Sequence, residues 1–316
     1  MPNLIPRFAD NAFWLGRYLE RAENLARIIL TNTTYTRHNS GTPSWRHIVE
    51  LFADQTRFIQ KYEDFEARSV LSFYVLDKDN FNSLVSDIAA AREAARSLRH
   101  LISTEMWTHL NMFHSRLQAL TQYDIHGDRL GRTISAIITD CQTFEGIAEG
   151  TFIRGEACIF YQMGKYIERA DQTTRILDMG YGRLGFDKDD AITSAQWHVL
   201  LRSVSAYHAF RSRHPGPINP KQIATFLLYD EEFPRAVSLC VSRFTQQFRN
   251  LQERADNGAD AEVEEARLQL QKLMDSGPGL RVTPSGLHRY LDQVQKSIGN
   301  LTNHLRHCYS GIPIAA

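Results

Sequence analysis

Apolar residues recur along this chain at intervals of three and four, the period of a helix with one buried face. Leu15, Leu19, Ala22, Ala26 and Ile29 form one such stripe, and Met163, Ile167, Ala170, Thr174 and Leu177 form a second with the same 4, 3, 4, 3 spacing. The pattern predicts a first helix over Asp10–Arg37, ended by the breaker run HNSGTPS, and a second beginning WRHIVELFADQTRFIQ with Ser44 as its cap. After SVLSFYVL, read as an extended or short helical piece, and the turn DKDNFNS come helices over Leu84–Ile102, Glu105–Leu120 and Leu130–Gly150. The second striped helix runs to about Met179, with YGRLGFDKDD as a loop. Further helices open on Trp197 (Thr193 and Gln196 as a capping box) and on Pro220 behind the cap Asn219. The last ones extend to about Ala255, over Ala261–Met274, and over Gly286–Tyr309 after Thr283-Pro284. Strand signals are nearly absent, so the fold class is all-α, a multi-helix bundle.

The two stripes belong to one motif present twice. In WLGRYLERAENLARIIL, Trp14–Leu30, the residues Gly16, Tyr18, Glu20, Arg21, Ala22, Arg27 and Ile28 recur at an offset of 148 (162 minus 14) in QMGKYIERADQTTRILD, Gln162–Asp178. They reappear as Gly164, Tyr166, Glu168, Arg169, Ala170, Arg175 and Ile176. Chance likeness between amphipathic helices preserves an apolar stripe, not a Gly, a Tyr and a Glu-Arg pair in register. Farther on, Phe226, Asp230 and Phe233 of FLLYDEEFPRAV match Phe73, Asp77 and Phe81 of FYVLDKDNFNSLV after one deletion. The expectation is two homologous tandem repeats, 1–150 and 151–316, packed tightly together. A glycine inside a helix costs about 0.5–1 kcal/mol relative to Ala. Its place one turn before the Glu in both copies implies a close approach to the backbone, by another helix or by a ligand.

Composition narrows the class. The 316 residues are 43% hydrophobic and 23% charged, enough for a large core, and the formal net charge is zero. That balance removes any global electrostatic case for nucleic acid or an anionic membrane surface. No stretch reaches the roughly 20 apolar residues of a membrane span. Cys141, Cys158, Cys240 and Cys308 are scattered without a C-x-x-C pair, as reduced thiols are, so a soluble, cytoplasmic protein is expected.

Candidate chemistry sits first on the motif. Adjacent Glu20 and Arg21 point about 100° apart on a helix, so each seeks a different neighbour. In a duplicated arrangement Glu20 meets Arg169 and Glu168 meets Arg21, buried ion pairs that fix register more than they add stability. The functional alternative makes Gly16, Glu20, Arg21, Asn24, Arg27, Gly164, Glu168, Arg169, Gln172 and Arg175 the lining of a polar pocket between the repeats for a carboxylate or an amine. Two acidic turns, Asp77–Ser83 and Asp230–Arg235, are candidate binding edges through Asp77, Asn80, Asp230 and Arg235; helix capping is their plainer role. Arg92, Arg96 and Arg99 run down one helix face as a solvated stripe or an interface. No metal-ligand set is evident: His304 and His307 share a face without a third ligand, and HExxH is missing. No P-loop is present, and no cofactor is implied.

The runs ADNAFWLGRYLERAEN, the second Glu-Arg helix, and DKDNFNS followed by AAREAARSLRHLISTEMWTHLN closely resemble the bacterial alpha-E family, all-helical proteins named for a repeated Glu-Arg motif. The likeness covers nearly the whole chain and includes FPRAV around Pro234. The chain departs from the family in RGEACIFYQMGKY, where a Gly-Trp is usual before the second motif, and in Asn80-Phe81, where Asn-Pro is usual. The resemblance implies association with circularly permuted ATP-grasp ligases and with transglutaminase-like peptidases, a setting of peptide or amide-bond formation and processing. The expectation is an accessory or binding subunit of such a system, with ATP use placed on the partner. The alternative is an enzyme or small-molecule binder built on the Glu-Arg pocket.

Overall fold

The computed structural model describes residues 4–38, 45–184, 191–254, 261–277 and 284–310. Among them the chain forms fourteen α-helices and no strand. The first seven are α1 Pro6–His38, α2 Arg46–Leu51, α3 Gln55–Ile59, α4 Ala67–Leu71, α5 Leu84–Ser97, α6 Thr104–Gln118 and α7 Gly127–Thr151. The rest are α8 Glu156–Leu184, α9 Ala191–Ser203, α10 Tyr207–Arg213, α11 Pro220–Tyr229, α12 Val237–Arg254, α13 Ala261–Ser276 and α14 Pro284–Ser310. A π-helical turn, Ser72–Leu76, follows α4 where the chain reads SFYVL.

Helices α5, α6 and α11 start at side-chain caps the chain supplies. Ser83 and Ser103 accept from the amides of Ser86 and Met106 to open α5 and α6. Asn219 accepts from the amides of Lys221 and Gln222 ahead of Pro220, as the sequence predicts for α11. Helix α9 begins at Ala191, so Thr193 lies inside its first turn and not at a cap. Ser44 and Thr283 lie outside the described residues, and Pro284 opens α14. The predicted loop at Tyr181 is also helical as far as Leu184. There the buried Tyr181 ring packs edge-on against Trp197, 4.9 Å between centroids, and its hydroxyl donates to the Pro220 carbonyl. That burial holds the extra turn in place.

The run WRHIVELFADQTRFIQ is not one helix. Ala53 takes a left-handed φ of 53°, and the amides of Ala53 and Asp54 bond back to the Glu50 and Val49 carbonyls. This is a Schellman stop, normally announced by glycine. Ser205, φ 56°, makes the same stop between α9 and α10 with amide bonds from Ser205 and Ala206 to Arg202 and Leu201.

The chain divides into two compact units. One is Tyr18–Ile153; the other is Met1–Arg17 with Arg154–Ala316, so the first turns of α1 group with the second half of the chain. In the first unit α6 packs between α5 and α7, while α2, α3, α4 and the π-helical turn form a smaller layer that reaches α5 through the turn. In the other, α8 is the hub, packed against α9, α11, α12 and α14, and α13 lies on α14.

Candidate functional site

The two motif glycines mark one crossing inside the unit that contains α8. A Cβ built on Gly16 would sit 2.1 Å from the carbonyl oxygen of Tyr161; one built on Gly164 would sit 1.9 Å from that of Phe13. The relation is reciprocal, because each glycine meets the carbonyl three residues before the other one. The close neighbour implied by a mid-helix glycine is thus a second helix backbone. Only a Cα–H fits against each carbonyl.

One turn farther along, the motif side chains are turned inward. Glu168 is 1% exposed, and its Oε2 takes the Nε of Arg17 at 2.6 Å while Oε1 accepts from Gln172 at 3.1 Å. Asp171, also buried, takes Arg175 Nε at 2.7 Å. Burial raises the Asp171 carboxyl above its ordinary range; the Arg175 guanidinium opposes the rise and the nearby Glu168 charge adds to it. Arg169 reaches the Pro234 carbonyl at 3.5 Å. Among the described residues Gln172 keeps one buried atom, Oε1, without a hydrogen-bond partner.

The first copy repeats this wiring within its own unit. Glu20 is 3% exposed and accepts from Asn24 Nδ2 at 3.4 Å, as Glu168 does from Gln172. Glu23 takes Arg27 at 2.9 and 2.6 Å, as Asp171 takes Arg175. Arg21 Nη1 lies 4.0 Å from the buried Asp87. Glu23, Glu20 and Asp87 lie near Cys141, whose thiol is pushed up by burial and by these carboxylates. A thiol held in that form is a poor nucleophile.

Both acidic turns are wired alike. Lys61 bridges Asp77 and Asp79 at 2.9 and 3.1 Å, and Arg213 bridges Asp230 and Glu232. Asp77 and Asp230 each accept an amide two residues on, from Asp79 and Glu232. Asn80 is buried and donates to the Phe73 carbonyl; the Arg235 carbonyl accepts from Thr173. The candidate edge residues therefore hold their own turns together. The first turn has an addition that sequence reasoning missed. Buried Asp54 takes the hydroxyl of Tyr74 at 3.0 Å, the amide of Asn82 at 3.0 Å and the guanidinium of Arg57. Arg57 then lies 3.7 Å over the ring of Phe81, which is 62% exposed. Trp45 to Trp197 and Phe58 to Phe210 share an offset of 152 in the sequence, and the position at that offset from Asp54 is Ala206.

Elsewhere, Arg92 and Arg99 lie over the Trp107 ring, 5.5 and 5.0 Å from its centroid. A cavity of about 480 Å³ by the loop before α11 is lined by Arg213, His214, Asn219 and Gln222 with neighbouring loop residues, away from the motif. At the end of the motif on α8, Asp178 Oδ1 lies 2.7 Å from Nδ1 of His288 on α14. That contact raises the His288 pKa. Asp292, one turn on from His288, completes a three-residue group. The i, i+4 pair His288/Asp292 is visible in the sequence; Asp178, 110 residues away, is not. Among the described residues no helix is long and apolar enough to cross a membrane.

Curated relatives are three uncharacterized mycobacterial proteins, one from Mycobacterium bovis and two from Mycobacterium tuberculosis. Each is 24% identical over 270 residues, covering 78% of this chain and 30% of the relative. The chain thus spans about a third of the length of the curated relatives it matches. No solved structure matches it. The Alpha-E family model, a predicted alpha-helical domain with a conserved ER motif, matches residues 4–309, and Glu20-Arg21 and Glu168-Arg169 are such pairs. The chain belongs to the Alpha-E family.

Proposed function

We propose that this protein is an accessory, non-catalytic helical subunit of a cytoplasmic system that forms or processes peptide or amide bonds, working beside a circularly permuted ATP-grasp-type ligase and a transglutaminase-like peptidase. The observation that carries the reading is the inward turn of the motif: Glu168 is buried and paired with Arg17, and its glycine is spent on helix packing. A general acid or base must instead come within hydrogen-bond reach of a substrate proton. The relatives supply a second support, since they join a matching segment to a much longer chain. Family resemblance supplies the partner class.

In this reading the two halves are homologous repeats. Support comes from the reciprocal glycines, the parallel wiring of Glu20 and Glu168, and the matched stops at Ala53 and Ser205, 152 apart (205 minus 53). Lys61 and Arg213, also 152 apart, clamp equivalent acidic turns. A second reading, a binder of a small polar molecule at the motif, draws on Gln172, whose Oε1 beside Glu168 lacks a donor among the described residues.

The test is purification of the tagged protein from its own cells with identification of what stays bound. Retention of an ATP-grasp-type ligase supports the accessory role. A protein recovered alone that by itself turns over a peptide or amine substrate refutes it.

A further inference from the structure

Three side chains from two helices meet on the unit built around α8. Asp178 lies on α8, and His288 and Asp292 stand one turn apart on one face of α14. Nδ1 of His288 is 2.7 Å from Asp178 Oδ1, and Nε2 is 3.9 Å from Asp292 Oδ2. One ligand-capable atom from each residue lies within 4.8 Å of the others. We propose that Asp178, His288 and Asp292 form a binding site for a single divalent transition-metal ion of the Zn²⁺ type.

The donor set fits that class. Two carboxylates and one neutral imidazole carry a net charge of −2, which a dication neutralises. Imidazole suits first-row transition metals better than it suits Mg²⁺ or Ca²⁺. Zn–N and Zn–O bonds of about 2.0–2.2 Å place the ligand atoms of one ion roughly 3–4 Å apart. Asp178 Oδ1 lies 2.7 Å from Nδ1, just under that range, and Asp292 now faces the other ring nitrogen at 3.9 Å, so it must turn toward Nδ1; His288 and Asp292, 60% and 45% exposed, are free to adjust their rotamers. From imidazolium, His288 releases its Nδ1 proton to solvent as the metal takes the Nδ1 lone pair and Nε2 keeps its own; from the neutral Nδ1–H form that proton moves to Nε2, so in both cases the bound ligand is a neutral imidazole. Three protein donors leave the remaining positions to water. The ion would tie the end of the motif helix to α14.

The whole protein, stripped with a chelator, is titrated with Zn²⁺ and separately with Mg²⁺ by calorimetry, with a thermal melt at each end point. The expected result is one saturable Zn²⁺ site per chain that raises the Tm and is lost in both His288→Gln and Asp178→Asn. Both variants should melt near the wild type without metal, because the side chains replaced are at or near the surface. Mg²⁺ should neither bind in that range nor raise the Tm. The wild type failing to bind Zn²⁺, or either variant binding it as the wild type does, through one of the other eleven histidines or the four cysteines, overturns the assignment.

Discussion

Replacing Gly164 by Ala tests the helix crossing directly. The new methyl group would sit 1.9 Å from the Phe13 carbonyl oxygen and 2.8 Å from its carbon, both backbone atoms held in a helix. A carbon–oxygen contact settles at about 3.3 Å, so α1 and α8 must part by about 1.4 Å (3.3 minus 1.9). Even a 0.5–1 Å gap forfeits a quarter to a half of a contact's dispersion energy. Phe13, Leu15, Met163 and Ile167 flank the crossing and are buried. Each is worth about 1.5–3 kcal/mol when fully buried, so the four together lose about 3 kcal/mol. The helix gains back about 0.5–1 kcal/mol from losing a glycine. The net expectation is a destabilisation of about 2–3 kcal/mol, seen in a chain of 316 residues as a fall of roughly 3–5 °C in Tm. Gly299→Ala on α14 is the control with the opposite sign, since no heavy atom lies within 4 Å of its added Cβ. There only the helix gain applies, and stability rises by about 0.5–1 kcal/mol. The assay is thermal and urea unfolding of both variants beside the wild type. A Gly164→Ala protein as stable as the wild type refutes the close crossing.

Asp54→Ala strands the buried Tyr74 hydroxyl at about 1–3 kcal/mol and removes hydrogen bonds to part-buried Asn82 and Arg57 at about 0.5–1.5 kcal/mol each, so it should cost about 2–6 kcal/mol in urea unfolding. The control Asp79→Ala, which breaks an exposed contact with Lys61, should cost under about 1 kcal/mol. Acid behaviour separates two carboxyls. Burial raises Asp171 despite Arg175, so its penalty is relieved as pH falls through the raised pKa, and wild type gains stability relative to Asp171→Asn below that point. Glu264 is lowered by its hydrogen bond to Arg267, so its contribution is present above its unfolded value and is lost as pH falls through the folded one. Wild type should therefore lose stability in acid relative to Glu264→Gln; urea midpoints measured from pH 7 to pH 3 check both signs.

Much of the fold was legible because helices write their period into the sequence. The caps at Asn219 and Pro220 and the close approach at the motif glycines followed from backbone costs that a sequence displays. The stop at Ala53 was hidden because its left-handed residue is an alanine, and the one at Ser205 for a similar reason. Tyr181 read as loop because the glycines around it look like a breaker run, whereas a buried ring against Trp197 holds the helix. In the candidate site, helical spacing places Gln172 and Arg175 one turn from Glu168 and Asp171, but the pairs expected from the sequence ran between the two motifs and did not include these. Arg17, the partner of Glu168, was not among them either, because it depends on how two helices cross. Asp54, Tyr74 and Asn82 were missed for the same reason: their meeting is made by turns, not by a period.

The central proposal is that the Glu-Arg motif holds the fold and does not act on a substrate. Its most direct test is the melting temperature of Glu168→Gln together with the partner it retrieves from its own cells. A buried carboxylate lost from its guanidinium partner costs up to about 3–5 kcal/mol, so the account predicts a markedly lower Tm, with the partner lost only as far as the fold is. A Glu168→Gln protein that melts like the wild type yet no longer retrieves a ligase that the wild type retrieves would contradict it.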